Sequence, residues 1–556
     1  MKFVFFGFLI LHFVSLIANP KCDQADLILE DASIYNGLSE NSFIGSIGIK
    51  DSKISFVDKG ITTSYDKCDD VRVLNLKEQF VYPGFVDGHG HLKGIGYREL
   101  TLNLQGISSL DLTLKAVENY LSLKKPNDWI IGRGWIDKTW PEKRFPTRWD
   151  IDSFAPNNPV VLERADGHAV VVNSVVLKLA NIDSNTPDPQ GGFIEKDSNG
   201  EPTGLLVDMA MNLIADLIPK STRNDDKKAF IEGIQRNVAL GWTQIHVPGG
   251  TFEDISILNE IKSENNLLQR VYFMVDDGEP ADLLLEKGPI IDPENLLTVR
   301  SIKMYADGAL GSRGAALIEK YSDYDGKGVF IFREEETKPR LAKALIKGIQ
   351  IATHAIGDNG NRVVLNWYEE AFENAKNNNE MVSDPRWRIE HAQNITPIDQ
   401  KRYVELNVIP AMQPSHAIGD LHFAIDRLGL ERINNAYAWR DLIDQGLIIA
   451  GGTDAPVEIG DPRIEFYAAI TRKDIDGFHA EGWNLNQRLT RLEALKMFTI
   501  WPAIASFEDD IKGTIEVGKL ADFSIFDKDI MTIPEQEILS VKNIYTIVGG
   551  RVVYED

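Results

Sequence analysis

Two histidines one residue apart, His89 and His91, follow the apolar stretch Val81-Tyr-Pro-Gly-Phe-Val86. On a β-strand, residues i and i+2 project to the same face, so this pair could present two imidazoles to one metal ion from a single strand end. Imidazole suits Zn²⁺ and related divalent ions, and a metal in such a site acidifies a bound water and polarises a carbonyl. A lone His-Gly-His triplet also occurs in ordinary turns, so its weight comes from the other histidines. His246, His354, His391 and His416, like the first two, fall at or near the C-terminal ends of short apolar runs.

Those runs must position the histidines. They are Phe85-Val86, Trp242 to Val247, Val271 to Val275, Ser301 to Tyr305, Ile349 to His354, Arg386 to His391, Val408 to Met412 and Leu447 to Asp454, mostly separated by helix-like segments. Eight strands alternating with helices predict an α/β fold, a (β/α)8 TIM barrel, whose active site lies at the C-terminal ends of its strands. The histidines lie at that end.

The same residues form a coherent hydrolytic set. His89 and His91 would hold a first ion, and His354 and His391, from the fifth and sixth strands, a second. Five ligand candidates from four strands exceed what one tetrahedral ion requires, which predicts two metal ions per chain. Lys303 is the candidate for a bridging anion, because Ser301, Lys303 and Tyr305 share one strand face that should point into the barrel. An ammonium beside two cations is electrostatically untenable, so its amine should lose its proton. The residues alone leave open a neutral lysine, or one paired with Asp307, beside a single metal. Asp454 ends the eighth strand and could take a proton from the attacking water and return it to the leaving group, although Asp there also commonly caps a helix. His246, inside the second strand, reads as core. His416 and Arg313 lie at the site rim by sequence position and could polarise a carbonyl or hold a substrate anion; Trp135, Asp166 and His168, in a segment inserted after the first strand, are weaker candidates for substrate contact.

The sequence resembles the amidohydrolase superfamily, and within it a branch typified by YtcJ and related to N-substituted formamide deformylases. The motifs that carry the resemblance are Pro83-Gly-Phe-Val-Asp-Gly-His-Gly-His91, Arg164-Ala-Asp-Gly-His168, Lys303 to Gly314, His354-Ala-Ile-Gly-Asp358, Arg388-Ile-Glu-His-Ala-Gln393, Gly452-Thr-Asp-Ala-Pro456 and Gly513 to Asp522. They span nearly the whole chain. One departure is Gly88, where relatives more often carry a small polar residue. The resemblance implies that Lys303 carries CO2 as a carbamate bridging two Zn²⁺ ions, with other divalent metals able to substitute. It also implies hydrolysis of non-peptide, amide-like carbon–nitrogen bonds in small molecules through a metal-bound hydroxide, with Asp454 as general base. A lactonase or esterase would use the same ligands, and an inactive secreted binding protein on this scaffold is the alternative outside catalysis.

Composition bounds the rest. The chain has 556 residues, 43% hydrophobic and 26% charged, which is that of a globular protein with a large core. A formal net charge of −24 argues against a sequence-independent grip on nucleic acid or an anionic membrane. Residues 1–18, with one lysine, an apolar run and Ala18 before Asn19, read as a cleaved secretory signal too short to span a bilayer, so the product should be secreted or lumenal without stable membrane insertion. Cys22 and Cys68 are the only cysteines and could pair in an oxidising compartment. The sequon at Asn394 should go unused, because a glycan three residues after His391 would crowd the site. Short strands before the barrel (19–83) and after it (510–556) are too few to stand alone and predict a small β-sandwich built from both ends of the chain, with the barrel (84–509) between. The long path from His91 to about Gly241 predicts an insertion, about 97–236, poised over the catalytic face. A homodimer is compatible with the sequence.

Overall fold

The computed structural model describes residues 21–556, apart from 61–64, 66–67, 69–70, 138–139, 165–168, 190–191, 379–383 and 479–480. The proposed signal segment therefore lies outside the described residues. At the centre is a sheet whose eight parallel strands follow chain order: Phe85–Asp87, Trp242–Pro248, Arg270–Asp276, Leu297–Tyr305, Gln350–Ala355, Arg388–His391, Ile409–Met412 and Ala450–Gly451. The strands are almost wholly buried, as expected of a parallel sheet covered on both faces. The sheet curls until its ends meet in a nearly closed barrel: Gly88 N–H donates to Gly451 O at 2.8 Å, and Thr453 N–H to His89 O at 3.1 Å. The seam is a close approach of backbone to backbone. A Cβ on Gly88 would sit 2.5 Å from Gly451 O, and one on Gly452 would sit 2.5 Å from His89 N, so with this backbone a side chain at either position would force the seam to shift.

Helices pack outside, each for local reasons. Arg223–Leu240 starts with a capping box from Thr222 and Asp225 and stops at Gly241, whose φ of 106° no β-carbon-bearing residue adopts easily; the next residue opens the second strand. Asp358–Asn377 buries Leu365, Tyr368 and Phe372 against the sheet, each worth about 1.5–3 kcal/mol of burial. Tyr368 OH is 2.7 Å from Thr353 Oγ1 and donates to Arg388 O at 2.9 Å, which fixes this helix to the fifth and sixth strands just below the site.

The inserted segment forms its own six-stranded sheet, in the order Gly192–Lys196, Pro202–Asp208, Ala169–Val172, Val160–Arg164, Ile130–Trp135 and Leu102–Asn103. The turn from Asp197 to Gly200 joins Gly192–Lys196 and Pro202–Asp208 in a hairpin. The two ends of the chain pair edge to edge in one continuous sheet: Arg551–Glu555, Asn543–Val548, Phe523–Phe526, Phe80–Pro83, Leu27–Ile34, Phe43–Lys50 and Lys53–Lys59, with Arg72–Asn75 beside Leu27–Ile34. Asn543–Val548 and Arg551–Glu555 form a hairpin turning at Gly549 and Gly550, both with positive φ. Leu29, Ile34, Val81, Phe523 and Ile547 share one apolar cluster, so neither terminus buries its face without the other. Cys22 and Cys68 are disulfide-bonded, with Cα atoms 5.4 Å apart.

This sheet is locked to the barrel by a buried ion pair. Arg270 donates to both oxygens of Asp522, at 2.7 and 2.9 Å, with the two side chains 2% and 6% exposed. Among the described residues no helix is long and apolar enough to cross a membrane.

Candidate functional site

The first strand ends at Asp87, so His89 and His91 stand in the turn beyond it and not on one strand face. They converge nevertheless. Asp87 accepts from His89 N–H, Thr453 N–H and Thr453 Oγ1, and this buried knot, in which desolvation raises the Asp87 pKa to about 7, pins the first turn to the end of the eighth strand. There Asp454 meets both histidines. Its Oδ1 is 3.1 Å from His91 Nε2 and 3.5 Å from His89 Nε2, and its Oδ2 is 3.5 Å from His416 Nε2.

His391 follows from the sixth strand, its ring centroid 4.8 Å from that of His89 and 4.5 Å from that of His354. Both His391 and Asp454 have left-handed backbones, with φ of 68° and 58°. Such strain at non-glycine residues persists only where the surroundings enforce it, and here it turns two side chains inward at strand ends. The other ring nitrogens are already used. His89 Nδ1 is hydrogen-bonded to Glu390 Oε2, and His391 Nδ1 donates to Gln413 Oε1 at 3.0 Å, which leaves each Nε2 as a lone-pair donor facing the centre. Glu390 is held by Arg388 through both oxygens, at 2.7 and 2.9 Å; Arg388 also donates to Gly88 O and to His246 Nδ1.

Protonation follows from burial. Desolvation, helped by the Lys303 charge, lowers His89 to about 4 and His354 to about 3, and it takes His391 well below the ordinary value. Burial works the other way on Asp454, yet the His91 contact and the surrounding imidazoles outweigh it and hold the carboxylate well below its usual range. The result is a nest of neutral imidazoles around an anion. His89 Nε2, His354 Nε2 and Asp454 Oδ1 are buried without a hydrogen-bond partner among the described residues. Three such groups left unpaired would cost several kcal/mol, and a cation satisfies them all at once. Donor atoms of His89, His391 and Asp454 lie within 4.8 Å of one another, grouped as the ligands of one divalent ion would be. The residues therefore fit a metal.

Lys303 faces the same centre from the fourth strand, 1% exposed, with its Nζ 4.8 Å over the Tyr305 ring. Burial lowers its pKa. Among the described residues it makes no ion pair within 4.0 Å. The alternative partner, Asp307, is occupied by the backbone N–H groups of Ala316, Ile356 and Gly357.

The comparisons with known proteins agree with this geometry. A family model described as the amidohydrolase family matches residues 72–554. The chain belongs to the amidohydrolase family. YtcJ of Bacillus subtilis is 32% identical over 545 residues, 94% of this chain and 98% of that one. N-substituted formamide deformylase of Arthrobacter pascens is 27% identical, over 95% of this chain and 98% of its own. A solved structure titled an uncharacterized metal-dependent hydrolase, from Pyrococcus horikoshii OT3, superposes with a TM-score of 0.73 at 25% identity, covering 92% of this chain and 99% of that one.

The site of this amidohydrolase opens into a cleft of about 760 Å³. Its walls are the loop after the fourth strand (Ala309, Leu310, Gly311), the helix Pro414–Asp420 with Phe423 beyond it, and the turn from Asp454 to Glu458. None of the described residues of the inserted segment lines it, and residues 138–139, 165–168 and 190–191 of that segment lie outside the described residues. The insertion acts at one remove: Arg98 and Arg236, at its two ends, donate to backbone carbonyls of Glu458, Ile459 and Gly460 and hold that wall. The other candidates divide. His416 lines the cleft. Arg313 does not; its guanidinium is paired with Asp323 at 2.8 Å. Trp135 is fully buried in the core of the insertion, donating to Leu162 O, and touches no part of the cleft. His168 and Asp166 lie outside the described residues. Asn394 is 3% exposed with its amide bonded to Ile356 O, which removes that sequon from the surface.

Glu390, Arg388, Gln413, Asp420 and Glu458 were not singled out from the sequence. A signal existed for two of them, since Arg388 and Glu390 stand two apart on a strand ending at His391 and so share the inward face. Nothing local marked the others.

Proposed function

We propose that this amidohydrolase is a metal-dependent enzyme that hydrolyses an amide-like, non-peptide carbon–nitrogen bond in a small molecule. The observation that carries the reading is Asp454: a buried anion with one unpartnered oxygen, among neutral imidazole donors, at the inner end of a cleft large enough for a small amide. In this reading His89, His91, His354, His391 and Lys303 would hold two zinc ions, Lys303 as a carbamate formed when its neutral amine adds to CO2 with an N–C bond made and a proton released. The metal, when bound, supplies Lewis-acid activation of water and of the scissile carbonyl. Asp454 accepts the proton of the attacking water and passes it to the leaving nitrogen. Glu390 and Gln413 keep the metal-facing nitrogens of His89 and His391 free, and His416 and the amide of Gln393, both lining the cleft, orient the substrate carbonyl. Deformylase chemistry in the Arthrobacter pascens relative supports a nitrogen leaving group. The Cys22–Cys68 bridge supports the proposal that the chain matures in an oxidising compartment after loss of residues 1–18.

The test is a matched panel of N-formyl and N-acyl amines and the corresponding esters and lactones, given to zinc-loaded protein. Amide turnover is expected. Turnover of esters or lactones alone would overturn the carbon–nitrogen assignment, and inertness toward both with metal bound would leave a binding protein.

A further inference from the structure

The outer part of the cleft carries two carboxylates that catalysis does not use. Asp420 closes the helix after the seventh strand, and Glu458 lies in the turn after the eighth; both line the cleft. Asp420 accepts from Tyr437 OH at 2.6 Å, and Glu458 Oε1 lies 3.6 Å from His416 Nε2. Among the described residues neither has a lysine or arginine within 4.0 Å. The arginines that reach Glu458 and its neighbours, Arg98 and Arg236, bond backbone carbonyls and leave the carboxylate free.

Asp420 and Glu458 do not form a second metal site, since the one cluster of ligating atoms among the described residues is His89, His391 and Asp454. What they do flank is an unpartnered donor or acceptor: His416 is 8% exposed and its Nε2 lacks a hydrogen-bond partner, between Asp454 Oδ2 at 3.5 Å and Glu458 Oε1 at 3.6 Å. Gln393 Oε1, 4% exposed and on the same wall, is also unpartnered. Leu310, Phe423 and Val457 add apolar surface to the lining of the same cleft.

Resting on the amidohydrolase reading above, the geometry points to a substrate with a cationic arm: an amide whose carbonyl lies by Asp454 and His416, and whose amine-bearing end, across a short aliphatic spacer, sits against Glu458 and Asp420. A monoacylated diamine is the simplest member of the class. The His416 imidazole stands between the reacting carboxylate and Glu458, so the spacer is short. A net charge of −24 favours the encounter with a cation and disfavours an anion. Glu458 and Asp420 are specificity-determining residues in this arrangement, and the clamp from Arg98 and Arg236 holds Glu458 in place before the substrate arrives.

The experiment compares three amides that share an acyl group and spacer and end in an ammonium, a methyl or a carboxylate, together with the three esters bearing the same arms. The expected kcat/KM is highest for the ammonium arm, by about tenfold over the methyl arm and mainly through KM, and lowest for the carboxylate. Glu458→Gln and Asp420→Asn, made separately, each reduce the ammonium-to-methyl ratio, and added salt reduces it in the parent. Equal or better use of the methyl arm, or a ratio unchanged in both variants, overturns the proposal. An enzyme active on the esters alone overturns the carbon–nitrogen reading while the ranking of the arms still decides this one. If no compound turns over, calorimetry with the ammonium-arm and methyl-arm amides themselves decides: tighter binding of the ammonium arm, weakened in Glu458→Gln, supports the assignment, and equal binding ends it.

Discussion

Glu390 fixes His89: the two side chains are fully buried, and the carboxylate accepts a hydrogen bond from Nδ1–H so that Nε2 faces Asp454. Glu390 is itself held low, at about 2; burial opposes this, and the adjacent Arg388 guanidinium and His89 overcome it. Removing the charge while keeping an acceptor, in Glu390→Gln, should loosen the tautomer and basicity of His89 and weaken metal binding about 10–100-fold. Competition with a chelator measures this directly. Unchanged metal affinity would show that Arg388 and the barrel wall orient His89 without Glu390.

Asp454→Asn separates proton transfer from metal binding. Asparagine keeps an oxygen near His91 and His89 but cannot take a proton from water. The expected loss in kcat is about 10²–10⁴-fold. Metal content should fall less than in His391→Ala, which deletes a donor outright. Stoichiometry and kcat measured on the same preparations make the comparison. Near-full kcat in Asp454→Asn would move the base to another group, most directly His416 at 3.5 Å.

Lys303 is buried with no ion pair among the described residues, so its amine is free to react with CO2. Protein equilibrated with zinc and ¹³C-bicarbonate should show a carbamate carbon resonance that is absent in Lys303→Arg, and elemental analysis should give two metals per chain in the parent. One metal at full activity, with no carbamate signal, would make Lys303 a structural residue.

The Arg270–Asp522 pair joins the barrel to the terminal sheet, and its loss should be costly. Asp522→Asn leaves a buried guanidinium uncompensated, which typically costs about 3–5 kcal/mol. Burial opposes ionisation of Asp522, but Arg270 dominates and its pKa is lowered on folding. A lowered folded-state pKa means that the stabilisation is present above the unfolded value, about 3.9, and is lost as pH falls toward the folded value. Denaturant unfolding should therefore show a large deficit for Asp522→Asn at pH 7 that shrinks below about pH 4. A deficit independent of pH across that range would remove the ion pair as its cause.

The sequence by itself determined the element types of the barrel and the identity of the inner donors. Eight apolar runs, each bounded by turn or cap residues, can be buried on both faces only in a parallel sheet, and that places His89, His91, Lys303, His354, His391 and Asp454 at one rim. Local pattern also paired the two termini, since each carries half of an apolar face. The tertiary structure alone decided how those donors meet. His89 and His91 converge on Asp454 through a turn and not a strand face, because the seam between Gly88 and Gly451 brings the eighth strand against the first. The capture of Arg313 by Asp323, the burial of Trp135 in the insertion and the cleft wall set by Asp420 and Glu458 depend on how loops and segments fold against one another. Periodicity records which face of a segment is buried. It holds no information about which distant side chain will be waiting there, and that choice is made only when the loops at the barrel mouth pack.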